Sequence, residues 1–376
     1  MLFVLEKNSM IIFLILVLVL LFCIVFLMQP KFGKKPSGKY LLKMEESPNY
    51  NREKAAFQNL NDTPALTEGV GYTEVLKNFI FEKSDRSKPK TALPTIKTDL
   101  FQLDPSEDVV VWFGHSSYFM QLNGKKILID PVFSGSASPM PFSIKSFKGS
   151  DIYTPEDIPI IDYLFISHDH WDHMDFKTLT ALQPKIKRII CGLGVSAHLV
   201  YWGYKMELIE ERDWNKTILL EDDFEVHTVP ARHFSGRRFK RNGTLWTSFI
   251  LKTPSYQIFI GGDSGYDTHF KITGEQFGPF DLAILENGQY NDNWKYIHMH
   301  PEEVLRAAKE LKAKRLLPVH SSKFALANHA WDEPLKRITE LHKKDSFLQL
   351  LTPKIGEKVD LKLINQKFDH WWVGLD

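Results

Sequence analysis

The chain has 376 residues, with 47 lysines and arginines against 46 aspartates and glutamates and a net charge of +1. Its 43% hydrophobic and 25% charged content is that of a globular chain, which excludes wholesale disorder; the charge balance argues against a polyanion-binding surface, so nucleic acid is not an expected partner. Two cysteines, Cys23 and Cys191, exclude a disulfide framework and a thiolate zinc cluster.

Residues 1–9 form a short tail. Residues 10–28 are apolar and uncharged, and as a helix they would extend about 29 Å, close to the hydrocarbon thickness of a bilayer. A cleaved signal normally has a shorter apolar region followed by small residues, whereas Phe26-Leu27-Met28-Gln29-Pro30 offers no such site. Phe22 before Cys23 argues against lipoprotein processing. The expectation is a retained, single-pass transmembrane helix. Lys31, Lys34, Lys35, Lys39 and Lys43 follow it and only Lys7 precedes it, so the positive-inside rule places the following domain in the cytoplasm.

Residues 29–105 are rich in Lys, Asn, Pro and Ser and read as a linker and wrapping extension with one short helix at 73–81. The remainder, 106–376, alternates strand and helix signals. Strands are expected at 109–113, 117–122 and 126–129, with Asn123-Gly124 as a hairpin turn. Further strands fall at 163–167, 188–191, 224–229, 247–252, 257–261, 282–286 and 315–319. Helices fall at 176–182, 196–202 and 302–311, the last with Pro301 in its first turn. The pattern predicts a layered α/β architecture.

The strand at 163–167 runs into His168-Asp169-His170-Trp171-Asp172-His173. Neutral imidazoles and a carboxylate suit zinc, and would also accept iron or manganese. If the stretch is extended, His168, His170 and Asp172 share a face, and His173 points to a second ion close by. His233, Asp263 and His320 each follow a strand in the same way. Recurrence at strand ends gives them a common destination, one edge of the sheet.

HDHWDH followed by His233, Asp263 and His320 resembles the metallo-β-lactamase superfamily of metal hydrolases. The resemblance is closer to the branch of the N-acylphosphatidylethanolamine-hydrolysing phospholipase D and its bacterial relatives. It is carried by Trp112-Phe113-Gly114-His115-Ser116-Ser117, Ile129-Asp130-Pro131, PARH at 230–233, GGDSGY at 261–266, ENGQYNDNW at 286–294, HPEE at 300–303 and PVH at 318–320. Where that branch presents Trp-Gly after the last ligand, this chain has Ser321-Ser322, which puts the shape of the substrate wall in doubt.

The resemblance implies a four-layer αβ/βα sandwich with two zinc ions at the sheet edges. His168, His170 and His233 would hold one, Asp172, His173 and His320 the other, and Asp263 would bridge both. Five imidazoles and two carboxylates leave two Zn²⁺ with net charge +2, suited to a phosphodiester anion. A hydroxide between the ions would attack phosphorus. Asp130 would orient a ligand histidine or shape the turn before Pro131. His115 is expected as a turn or supporting residue rather than a catalyst. His300 would either serve the phosphate and leaving group as a proton donor or cap the helix that follows. Arg237 and Arg238 belong to a basic loop, either solvated or facing lipid phosphate. Trp171, Tyr290 and Trp294 would pack in the core or wall an acyl-chain groove. The expected function is a membrane-anchored, binuclear-zinc phosphodiesterase of phospholipase D type, acting on N-acylphosphatidylethanolamine-like lipids. The alternatives are a metal-dependent lactonase or sugar-phosphate hydrolase, and a non-enzymatic membrane-tethered scaffold.

Overall fold

A computed structural model describes residues 2–81, 83–140 and 142–375; Met1, Glu82, Pro141 and Asp376 lie outside the described residues. Helix α1 (Leu2–Leu27) contains an apolar run, Met10–Leu27, none of which is buried. A helix that is apolar all round needs an apolar environment on every side, and among the described residues this one meets little beyond the packing of Phe26 on Phe32 at its end. It is a candidate membrane span. The extension then forms α2 (Lys39–Glu45), a small hairpin of β1 (Tyr50–Asn51) and β2 (Ala56–Phe57), and α3 (Tyr72–Phe81).

Two seven-stranded sheets follow among the described residues. The first contains β3 (Val109–Trp112), β4 (Tyr118–Leu122), β5 (Lys125–Ile129), β6 (Ile161–Ile166), β7 (Ile186–Gly192) and β8 (Ile209–Arg212). The second contains β9 (Lys216–Leu219), β10 (Glu225–Val229), β11 (Ser248–Lys252), β12 (Gln257–Ile260), β13 (Leu282–Glu286), β14 (Arg315–Val319) and β15 (Gln349–Leu350). The last strand, β16 (Lys358–Asp360), returns to pair with β3. Each sheet has an antiparallel meander on one side and parallel strands on the other, β5 to β8 and β12 to β15. The β4–β5 turn has positive φ at both Asn123 (45°) and Gly124 (77°), as a tight right-twisting hairpin requires.

Strand alternation builds three apolar layers. Val110, Trp112, Ile127, Phe165, Phe249 and Ile260 face the space between the sheets. Val109, Val111, Phe119 and Leu164 face outward onto α4 (Phe176–Leu182) and α5 (Ser196–Tyr201). On the far side Ile250, Phe259, Ala283 and Leu285 meet α6 (His269–Gln276), α7 (Pro301–Glu310) and α8 (Glu333–Lys344). Each large side chain buried this way contributes roughly 1.5–3 kcal/mol. Helices, sheet, sheet and helices are the four layers of the metallo-β-lactamase fold, as expected.

Besides α2 and the β1–β2 hairpin of the extension, four strands and two helices of the two-sheet domain are not anticipated by the sequence pattern: β8, β9, β15, β16, α6 and α8. All four strands are sheet edges. Their sequences, such as Ile-Glu-Glu-Arg in β8 and Lys-Val-Asp in β16, are short and charged, so they lack the apolar run by which inner strands are recognised.

Candidate metal centre

The ligand candidates leave one rim of the sandwich. The loop 168–174 follows β6, His233 follows β10, Asp263 follows β12 and His320 follows β14 directly. Gly262 lies at φ 60°, and a Cβ there would stand 2.8 Å from the Ser167 Cβ. Glycine therefore lets the Asp263 turn close onto the histidine loop.

That loop is not extended. His173 N and Met174 N both donate to His170 O, at 3.2 and 2.8 Å, so it turns back on itself. This corrects the alternation argument: Asp172 does not share a group with His168 and His170. His168, His170, His233 and Asp263 bring ligand atoms within 4.8 Å of one another, and so do Asp172, His173, His320 and His115. Asp263 stands between the groups. Its Oδ2 is 3.1 Å from His173 Nε2 and 3.7 Å from His233 Nε2, and its Oδ1 is 3.2 Å from His320 Nδ1.

The hydrogen bonds around the cluster fix ring orientations. Asp130 accepts from His173 Nδ1 (2.8 Å) and the Ile297 carbonyl from His233 Nδ1 (2.9 Å). Ser116 Oγ meets His320 Nδ1 (2.8 Å), and Ser167 Oγ meets His168 Nδ1 (3.0 Å). In His168, His173 and His233 this leaves Nε2 turned toward Asp263, the usual arrangement behind a metal-bound imidazole, whereas His320 presents Nδ1 to Asp263. His168 Nε2 lies 2.8 Å and His233 Nε2 3.3 Å from His170 Nδ1. His173 Nε2, His320 Nε2 and Asp263 Oδ1 are buried without a hydrogen-bond partner among the described residues. Buried polar atoms are seldom left so. This donor set fits divalent cations.

The electrostatics agree. Burial holds His168, His233 and His320 well below the usual imidazole range and His170 at about 4, so these rings are neutral and able to ligate. Burial pushes the Asp263 carboxyl up to about 6 against the pull of His173. Burial also opposes charge on Asp172, but His173 and the His115 hydrogen bond keep that carboxyl below its ordinary range. His173 is the exception: burial opposes its charge, but Asp263, Asp172 and the Asp130 hydrogen bond raise its imidazole well above the ordinary range, so the buried acidic pair already recruits positive charge.

Asp130 is buried and also accepts from Ser167 N (2.8 Å) and Oγ (2.6 Å), beyond shaping its turn. His115 Nε2 lies 2.8 Å from Asp172 Oδ2, and the ring packs on His320 at 4.1 Å. His115, Asp130, Gln289 and His320 all have φ between 42° and 65°. Such backbone costs about 1–3 kcal/mol per residue and tends to gather at functional sites.

Some expected residues are elsewhere. His300 precedes α7, where Glu303 accepts from its N–H at 3.0 Å, and its ring faces Tyr290 rather than the cluster. Two residues earlier, His298 occupies the place assigned to it. The His298 ring is 5.0 Å from that of His233 and 5.1 Å from that of His320, and its Nδ1 is 2.5 Å from Glu286 Oε2. Glu286 ends β13, at a strand end like the other ligand candidates. Tyr290 is buried with its hydroxyl on Glu333 (2.9 Å) and is not among the residues lining the cavity over the cluster. Arg237 is 4% exposed and bonded to backbone, so it is not available to lipid.

Trp171, Trp294 and Arg238 do line a cavity of about 590 Å³ whose floor is His170, Asp172, His233, Asp263, His298 and His320. Leu66, Tyr72 and Val75 of the extension complete its wall, and Arg238 and Arg241 stand on it. Ser321 and Ser322 are both 1% exposed and do not line it; behind His320 the wall is Gln289 and Leu326.

Residues 125–321 match the family described as beta-lactamase superfamily domain. An uncharacterized protein of Mycobacterium tuberculosis is 35% identical over 342 residues, covering 87% of this chain and 88% of its own. The N-acyl-phosphatidylethanolamine-hydrolyzing phospholipase D 1 of Caenorhabditis elegans is 30% identical over 310 residues, 76% of this chain and 84% of its own. A metallo hydrolase of the archaeon Ignicoccus hospitalis superposes with a TM-score of 0.52 at 20% identity, over 68% of this chain and 98% of its own. That last similarity concerns the fold.

Proposed function

This chain belongs to the metallo-β-lactamase superfamily of metal-dependent hydrolases, and from that premise we propose a membrane-anchored phosphodiesterase acting on N-acylphosphatidylethanolamine-like lipids. The observation that carries the reading is the cavity itself, in which a buried His/Asp cluster lies beneath apolar walls and two arginines. An acyl-bearing phosphate ester has the same division into apolar and anionic parts.

His168, His170 and His233 would hold one zinc ion and Asp172, His173 and His320 the other, with Asp263 between them. When bound, the pair supplies Lewis acidity and lowers the pKa of water toward neutrality. The chain's own groups do the rest. Arg238 and Arg241 attract the phosphodiester to the cavity. Leu66, Val75, Trp171 and Trp294 exclude water and seat the acyl chains. Burial raises the Glu286 carboxyl well above its ordinary range, so it can hold a proton against His298 Nδ1 and keep the neutral ring protonated at Nε2; as Nε2 gives its proton to the departing alkoxide, Glu286 passes its own to Nδ1. Asp130 keeps the His173 tautomer. On this reading helix α1 spans the bilayer, and the positive-inside rule, applied to the exposed Lys34, Lys35 and Lys39 just beyond it, favours the cytoplasmic side for the catalytic domain.

The test is a hydrolysis screen of zinc-loaded protein against N-acylphosphatidylethanolamine, a lactone, a sugar phosphate and nucleic acid. Release of phosphatidic acid and an N-acylethanolamine is expected. Turnover of the lactone or the sugar phosphate alone would overturn the lipid reading and leave a superfamily hydrolase of another substrate class.

A further inference from the structure

Between α1 and α2 the chain runs as a short strap, residues 28–36, that lies against the ligand loop 168–174. Arg237 joins the two. Its Nε and Nη2 donate to Lys31 O at 3.1 and 2.9 Å, and its Nη1 donates to Asp169 O at 2.9 Å and Met174 O at 2.7 Å. Trp202 Nε1 adds a bond to Pro30 O at 2.8 Å. A second tie runs through His198, whose Nδ1 accepts from Lys34 N at 3.0 Å while Nε2 sits 3.3 Å from Asp169 Oδ2. Asp169 Oδ1 in turn accepts from Gly236 N at 2.6 Å. Rings close the joint: the Arg237 guanidinium lies 4.0 Å over Trp171, Phe32 meets Trp171 at 5.2 Å, and Phe26 of α1 meets Phe32 at 5.3 Å.

None of these groups belongs to the ligand set, yet Asp169 lies between ligands His168 and His170, and Trp171 lies between His170 and Asp172. The loop's own backbone bonds tie only residues 170, 173 and 174. The positions of Asp169 and Trp171 are therefore set from outside, largely by the strap and Arg237.

We infer that residues 28–36 are a working part of the metal centre: through Arg237 and the His198–Asp169 pair, the segment leaving the apolar helix holds the ligand loop in its metal-binding geometry. Arg237 and His198 are positioning residues. A lysine could not replace the arginine, because one ammonium cannot reach carbonyls on both strap and loop while lying flat on an indole. The membrane tether and the metal centre are then one mechanical unit.

The inference rests on metal binding at the cluster and on no substrate. The experiment uses the full chain in detergent micelles, loaded with zinc, and reads the rate of metal release to excess chelator beside the melting temperature of the metal-free protein. Gly33→Ala perturbs the strap and its tie through His198, since Gly33 sits at φ 68° and a Cβ there would run into the His198 ring. Arg237→Lys removes the fork and keeps the charge. Trp202→Phe removes the bond to Pro30 and keeps an aromatic ring beneath Arg237 and against Phe176, and it decides the matter where either of the others fails to fold. Leu335→Ala, a buried position of α8 whose core cluster contains no strap residue, serves as a destabilised control. Faster release, by about tenfold or more as for other supporting groups around metal ligands, is expected in the strap variants and not in Leu335→Ala. In cobalt-loaded protein the visible absorption of the strap variants should change as well. Wild-type release rates in folded strap variants would overturn the inference, as would equal acceleration in Leu335→Ala. A wild-type chain that takes up no metal would instead defeat the metal-centre reading itself.

Discussion

Asp130 Oδ2 stands 2.8 Å from His173 Nδ1 and turns His173 Nε2 toward Asp172 and Asp263, 3.6 and 3.1 Å away. Charge on Asp130 strengthens the ring as a donor, and the carboxylate is itself held by Ser167. Asp130→Asn should therefore weaken metal binding about 10- to 100-fold at the Asp172/His173/His320 group and little at the other. Zinc titration against a competing chelator reads the two affinities. Unchanged affinity at both groups would mean that Asp130 serves the turn alone.

His298 and His300 sit two residues apart with different surroundings, and substitution should separate them. His298→Gln should lower kcat by about 10²–10⁴ with both metals retained, the range for a lost proton donor. His300→Ala should leave kcat near wild type and cost about 1 kcal/mol of stability, as for a helix cap. Equal kinetic losses would remove the distinction.

The contrast shows what the sequence made legible. Ligands placed directly after apolar strands, such as His168 after β6 and His320 after β14, could be assigned to one rim because β-runs locate their own ends. Glu286 ends a strand as well, but a lone acidic residue gives no sign of the histidine that will face it. His298 lies in an irregular segment, where neither period 2 nor period 3.6 tells which of two histidines turns inward. The same limit hid the turn within 168–174, whose backbone bonds regroup Asp172 with His173. Arg237 read as part of an exposed basic run because charge runs usually are. Its burial depends on carbonyls of Lys31, Asp169 and Met174, which are brought to it only by the fold.

His269, 5% exposed and outside the ligand set, with Nε2 3.2 Å from Ser264 Oγ, makes a test of pH dependence that needs no metal. Burial pushes its imidazole down to about 4. The unfolded chain would then take up this proton near pH 6.5 and the folded chain only near pH 4, so stability is lost as pH falls through that window. The full effect is about 3 kcal/mol, from some 2.5 pH units at 1.36 kcal/mol each. His269→Gln should flatten this part of the profile in denaturant titrations at pH 7 and pH 4.5. An identical pH dependence in the variant would show that His269 does not carry it.

Where the chain is cut should decide whether it keeps its metal. Removing residues 2–27 takes away α1 but leaves the strap with its bonds to Arg237, Trp202 and His198. The remaining domain has its own two-sheet core, so it should be soluble, folded and metal-replete. Removing residues 2–37 takes the strap as well, frees the Arg237 donors that faced Lys31 and exposes the Trp171 face covered by Phe32. That protein should release metal faster although its ligands are intact. The shorter deletion should also divide the activity by substrate form. A small water-soluble phosphodiester needs no membrane to find the cavity and should be hydrolysed as by the full chain. Lipid in intact bilayers should be hydrolysed more slowly than by the full chain, and more slowly than the same lipid dispersed in detergent, because α1 no longer holds the cavity at the membrane. Equal bilayer activity with and without α1 would sever anchoring from catalysis. Equal metal retention by both deletions would leave the strap a tether and nothing more.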